Sequence, residues 1–209
     1  MLSWFEATVG FVADRPMAAC GFIFAVTLGE ALAVVGLFVP GTPILILVGA
    51  MIAAGHLPMG PLFLAATLGA IVGDGVSYAV GRRFRGAIRS SWPFTRWPGL
   101  LARGETFFVR HGAKSVAIGR FLPAVRAMVP LAAGTLGMTA GRFYFANVLS
   151  AAIWAPAHIL PGVLLGRSLA ALGIGEQAVA FTLVAVVLLV GCAIWVIELM
   201  RGQLGDGPR

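Results

Sequence analysis

The chain is dominated by long apolar runs broken by proline and glycine, not by an alternating pattern. Residues 17–54 hold a single charge, Glu30, in 38 positions. One straight membrane helix needs about 20 apolar residues, and Val39-Pro40-Gly41-Thr42-Pro43 interrupts this run. Proline removes a backbone donor and glycine permits a tight reversal. The limb after the break, Ile44 to Leu57, would reach only about 21 Å as a helix, too short to cross. The pattern predicts a broken, re-entrant hairpin over about 27–54. Residues 61–81 read as one span with one charge before its final Gly81, Asp74, and with a Gly69/Gly73 spacing that lets another backbone approach. Residues 115–138 are again apolar, contain Arg120 and Arg126, and are interrupted by Pro123, Pro130 and Gly134, which predicts a second hairpin. Residues 143–166 carry no charge and read as a span kinked at Pro156 and Pro161. Residues 177–199 read as a C-terminal transmembrane helix, and 1–16 as a short interfacial segment.

Between the two halves the character changes. Residues 82–114 place eight basic residues against Glu105 alone, a net +7 that equals the formal charge of the whole chain. Trp92, Phe94, Trp97, Phe107 and Phe108 are interleaved with them. Basic and aromatic residues together describe a cytoplasmic, membrane-surface segment; a nucleic-acid patch is the weaker reading, and no nucleic-acid partner is expected. With this linker inside, the order hairpin–span, linker, hairpin–span makes the two hairpins enter from opposite faces, an inverted repeat of the transporter kind. Composition agrees. The chain is 59% apolar and 11% charged with mean hydropathy +0.95, against about 45–50% and about 25% for soluble domains. A soluble enzyme is excluded on that ground. Cys20 and Cys192 are far apart and read as buried thiols, and the absence of a basic N-terminal region argues against a cleaved signal peptide.

Four charges lie inside apolar runs: Glu30, Asp74, Arg120 and Arg126. Each is expensive in a bilayer, by about 2.5–3.5 kcal/mol on the lenient insertion scale, so each needs a partner or a polar cavity. Structural ion pairing, for example Glu30 with Arg126, is the plainer alternative. The functional reading is a polar site where two broken hairpins meet. Arginine binds phosphate through a planar fork and stays charged, while carboxylates at that depth can exchange protons. Thr42 and Thr135 are candidates for lining the hairpin tips, or for capping. Asn147 and His158 read first as packing or interhelix hydrogen bonds, with Asn147 retained as a polar lining residue. Arg120 and Arg126 are six residues apart, about 240° on an unbroken helix, so only a break near Pro123 would turn both into one pocket. No hydrolase, nucleotide-binding or metal motif is present, and neither enzymatic activity nor a metal or cofactor is expected.

Glu30, Phe38-Val39-Pro40-Gly41-Thr42-Pro43, Gly73-Asp74-Gly75-Val76-Ser77-Tyr78-Ala79-Val80-Gly81-Arg82-Arg83 and Gly119-Arg120-Phe121-Leu122-Pro123-Ala124-Val125-Arg126 follow one another in an order that resembles the DedA family of the VTT group. The likeness runs over about residues 17–170, with Asn147, Trp154 and Pro161-Gly162 as later landmarks. It implies opposed re-entrant hairpins in the bacterial inner membrane and a role in moving lipids, undecaprenyl phosphate or a phospholipid among them. It also implies functional roles for Glu30, Arg120 and Arg126. Where many members have an acidic residue after the Pro-Gly, this chain has Thr42; Asp74 would supply the second carboxylate.

Residues and resemblance together point to translocation of an anionic lipid, a polyprenyl phosphate first. Arg120 and Arg126 would hold the phosphate, and Glu30 with Asp74 would gate or couple to protons. The expected partners are that lipid and the bilayer, with a homo-oligomer compatible with the pattern. A proton- or ion-coupled small-solute transporter is the alternative, with a lipid scramblase or membrane-assembly protein beside it.

Overall fold

A computed structural model describes residues 15–122 and 125–173. The expected C-terminal helix at 177–199, nearly all of the 1–16 segment, and Pro123 lie outside the described residues.

The described chain is all helical. It runs α1 (Pro16–Ala31), α2 (Gly41–Ala53), α3 (Met59–Arg83), α4 (Pro98–His111), α5 (Lys114–Gly119), α6 (Val129–Thr135) and α7 (Ala140–Ala171). Two short 3-10 turns, Val35–Leu37 and Ile88–Ser90, sit in the connections. The first apolar run breaks earlier than its prolines suggest. α1 stops at Ala31 because Ser77 of α3 takes over its end: the Ser77 hydroxyl bonds the Ala31 carbonyl and accepts from the Ala33 N–H at 2.8 Å. Pro43 then falls in the first turn of α2, where no helical partner is lost to its missing N–H.

Among the described residues, α3 and α7 are long and apolar enough to cross a membrane. α7 continues as one helix through Pro156 and Pro161. Each proline removes one backbone bond, and the helix persists because packing on α2 and α3 holds it. Both long helices bury glycines, alanines and polar residues, together with Leu62, Phe143 and Trp154, and leave an apolar stripe outward. Leu64, Leu68, Val72, Val76 and Val80 form an exposed stripe on α3, and Leu149, Ile153, Leu160 and Leu164 are exposed on α7. An outward apolar stripe of that length belongs against lipid.

The helices touch through glycines. A Cβ on Gly69 would lie 2.1 Å from the Thr27 hydroxyl, and one on Gly73 2.5 Å from the Leu28 carbonyl oxygen, so α1 and α3 meet backbone to backbone. α2 does not pair mainly with α1. It lies along α7, where Gly49 and Gly162 face each other. Likewise α6 lies along α3, where a Cβ on Gly134 would come 2.2 Å from the Tyr78 carbonyl oxygen. Each short limb therefore rests on the long helix of the other half. Gly162→Val should loosen α2 from α7, since its Cβ would start 2.0 Å from the Ile46 carbonyl oxygen. Overpacking of this kind costs about 1–3 kcal/mol. A lower Tm in detergent is the expected result, and an unchanged Tm would contradict this packing.

The basic linker folds back onto the bundle. Ile88, Phe94 and Leu101 form a buried cluster with Ala127, Met128 and Leu131, with Ala33 and Val34 packed against it. The segment thus braces the chain just after α1, at Ala33 and Val34, and just before α6, at Ala127 and Met128, while Trp92, Trp97 and Val109 stay exposed.

Candidate functional site

The four charges of the apolar runs form two ion pairs, each joining segments far apart in sequence. Arg120 ends α5 and Arg126 lies in the following turn, before α6 begins at Val129. Neither sits within a continuous helix, so both guanidinium groups point into one region between α1, α3 and α7.

Arg120 is held from three sides. Its Nη2 donates to Asp74 of α3 and to the Asn147 side-chain oxygen of α7, and its Nε donates to the Ser150 hydroxyl at 3.1 Å. Asn147 in turn donates to the Ile71 carbonyl at 3.1 Å, tying α7 to α3. The side chains of Arg120 and Asp74 are only 2% and 8% exposed. Arg126 is held more loosely. Its Nη1 bonds Glu30 of α1 at 2.5 Å, and its guanidinium lies 4.5 Å from the centre of the Trp154 ring, a cation–π contact. The Glu30 carboxylate is crowded from behind: a Cβ on Gly41 would fall 1.9 Å from Oε2. Only glycine at this position leaves room for the carboxylate. The Thr42 hydroxyl is 3.5 Å from Glu30, at the outer limit of a hydrogen bond.

Both arginines border a cleft of about 190 Å³ lined by Glu30, Thr42, Arg120, Phe121, Arg126 and His158, among others. Among the described residues, Arg120 Nη1, Arg126 Nη2 and Glu30 Oε2 are buried polar atoms with no hydrogen-bond partner. Two guanidinium groups bordering one cleft, each with an N–H left unpaired, match the chemistry of a phosphate or similar anion. Among the described residues no cluster of His, Cys, Asp and Glu could hold a metal ion.

Of the other residues singled out from the sequence, Pro40, Gly41, Thr42 and Pro43 form the turn into α2 beside Glu30. Pro130 and Gly134 lie in α6, buried against its neighbours. Thr135 bonds the Ala132 carbonyl of its own helix, a capping role. His158 bonds the Trp154 carbonyl one turn back on α7, not another helix. Ser77, Ser150 and the ring of Trp154 were not legible as site-supporting residues. The signal was present on α7: Asn147, Ser150, Trp154 and His158 recur at helical spacing on one face. Cys20 is half-buried with a free thiol.

Charged and polar side chains buried between helices whose outer faces are apolar define a helical membrane protein. Residues 39–164 match the VTT domain. Inner membrane protein YabI of Escherichia coli strain K12 is 31% identical over 160 residues, 76% of this chain and 63% of that protein. Inner membrane protein YqjA of the same strain is 33% identical over 173 residues, covering 81% of this chain and 78% of YqjA. An uncharacterized membrane protein of Buchnera aphidicola subsp. Acyrthosiphon pisum is 26% identical over 195 residues, 93% of this chain and 74% of the relative. The chain belongs to the DedA family of VTT-domain membrane proteins. No solved structure matches it.

Proposed function

We propose that the protein moves an anionic lipid across the bacterial inner membrane, holding the lipid phosphate between Arg120 and Arg126. The observation that carries this reading is the cleft itself: both guanidinium groups border it, and each keeps a buried N–H unpaired among the described residues. The bond between Glu30 and Arg126 closes the cleft in its resting state. An incoming phosphate competes with the Glu30 carboxylate for Arg126, and Glu30 acts as the gate. Asp74 keeps Arg120 charged and in place. Leu37 and Phe121 line the cleft and are also exposed, so a lipid tail can stay in the bilayer while only the headgroup enters. A polyprenyl phosphate is the first candidate, a phospholipid the second.

The reading further takes α1–α2 and α5–α6 as opposed re-entrant hairpins related by an inverted repeat. The exchanged packing, α2 on α7 and α6 on α3, supports that pseudo-symmetry. It also takes residues 82–114 as cytoplasmic. A cysteine placed at Arg96 should then resist an impermeant thiol reagent added outside intact cells, and ready labelling would reverse the topology. The function is tested by headgroup translocation in proteoliposomes containing polyprenyl phosphate, phosphatidylglycerol or the uncharged prenol, with and without a pH gradient. Faster movement of the phosphorylated lipids alone is expected. Equal rates with and without protein would remove the proposal.

A further inference from the structure

Within the cleft, Arg120 and Arg126 do not give up protons at working pH, and Thr42 is neutral. Asp74 is committed to Arg120 and does not line the cleft. Among the described residues, two lining groups can therefore exchange protons: Glu30 of α1 and His158 of α7. His158 is half-buried, and its Nδ1 lies 2.9 Å from the Trp154 carbonyl oxygen. A carbonyl can only accept, so Nδ1 carries the hydrogen. That leaves Nε2 as the exchanging atom, a base in the neutral ring and a donor in the imidazolium. The imidazole also packs on the Trp154 ring, centroids 4.6 Å apart, and the other part of that ring environment holds Arg126. One tryptophan thus positions both the cation that the gate releases and the ring beside it. Among the described residues no other helix packed on α7 offers a competing titratable group to this cleft: α2 contributes Thr42, Asp74 of α3 is bound to Arg120 outside the lining, and the turn after α5 contributes the two arginines.

We infer that His158 is the proton donor to Glu30 when the gate opens. The inference rests on the translocation reading above. When an anion takes Arg126, the Glu30 carboxylate is left buried without its cation, a costly state unless it is neutralised. A proton passes from Nε2 of the His158 imidazolium to the Glu30 carboxylate, directly or through one water. The imidazole becomes neutral, Glu30 becomes a neutral acid, and the charge lost from the cleft by His158 is matched by the charge removed from Glu30. On release of the anion the proton returns, and Glu30 pairs with Arg126 again.

The test is the pH profile of headgroup translocation in proteoliposomes between about pH 4.5 and 8, a range wide enough to span the titration of a histidine in a partly buried site. Loading needs the imidazolium, so the wild-type rate should rise as pH falls through that range. His158→Gln should be several-fold slower at the acid end and flat with pH. His158→Asn retains an N–H for the Trp154 carbonyl and serves as the second variant; it should be flat as well. A variant that enters the membrane, elutes as wild type and keeps the wild-type slope overturns the role of His158 while leaving lipid translocation standing. Wild-type protein that moves no phosphorylated lipid at any pH overturns the translocation reading and this inference with it.

Discussion

Arg120→Ala should unfold or strongly destabilise the protein, whereas Arg126→Ala should leave it folded and inactive. The two arginines are chemically identical, and their surroundings separate them. Arg120 and Asp74 are both almost wholly buried, with Asn147 and Ser150 completing the shell. Removing one partner of such a pair strands the other charge, at about 3–5 kcal/mol. Arg126 is 13% exposed, faces the cleft, and is held by one carboxylate and one ring. Its loss leaves Glu30 unpaired, but Glu30 lines the cleft, as Asp74 does not, and a proton from the cleft can neutralise it. Thermal denaturation of the two alanine variants in detergent separates the cases, and equal Tm losses would contradict the division. Arg126→Lys should fold normally and bind a phosphorylated lipid about tenfold more weakly, about 1.4 kcal/mol, because lysine keeps the charge and loses the planar fork. If wild type and Arg126→Ala discriminate equally between a lipid phosphate and its uncharged alcohol, Arg126 is not a headgroup ligand, and its bond to Glu30 is purely structural.

Glu30→Gln should give a folded, inserted protein that binds the headgroup at least as well as wild type and turns it over at least about tenfold more slowly, a barrier increase of about 1.4 kcal/mol. Glutamine keeps the size of the side chain and an oxygen for Arg126. It fits the space left by Gly41 and cannot ionise. The neutral amide competes less well for Arg126 than a carboxylate does, so the bound phosphate is displaced more slowly and the cycle stalls before release. The same change removes the proton acceptor, and turnover should lose its dependence on pH. Full activity across the pH range would take Glu30 out of the mechanism. Failure of the variant to insert would assign the Glu30–Arg126 pair to stability instead. Gly41→Ala should reproduce part of the defect without touching a charge, since its Cβ would displace the carboxylate from behind.

The helical architecture and the site residues differ in how far the sequence alone could reach them. The apolar runs, their breaks and the isolated charges are local properties of the chain, and hydropathy reads them directly: α3 and α7 fall where the charge-poor runs place them. The polarity of each helix surface follows from the same fact, since a chain with 11% charged residues cannot cover itself in water. Which partners offset the cost of placing Glu30, Asp74, Arg120 and Arg126 in an apolar setting could be known only from the fold. Those partners are 46 and 96 positions away along the chain, and no periodicity carries that information. The sequence offered Glu30 with Arg126 as one ion pair; tertiary packing made that pair and put Arg120 with Asp74, because the glycine contacts of α1 on α3 and the arrangement of α7 fix which side chains can meet. It also decided that Ser77 ends α1 before the proline break, that His158 lines the cleft, and that Trp154 packs behind it against Arg126. Sequence fixes where a charge must be compensated; only the folded contacts choose the group that compensates it.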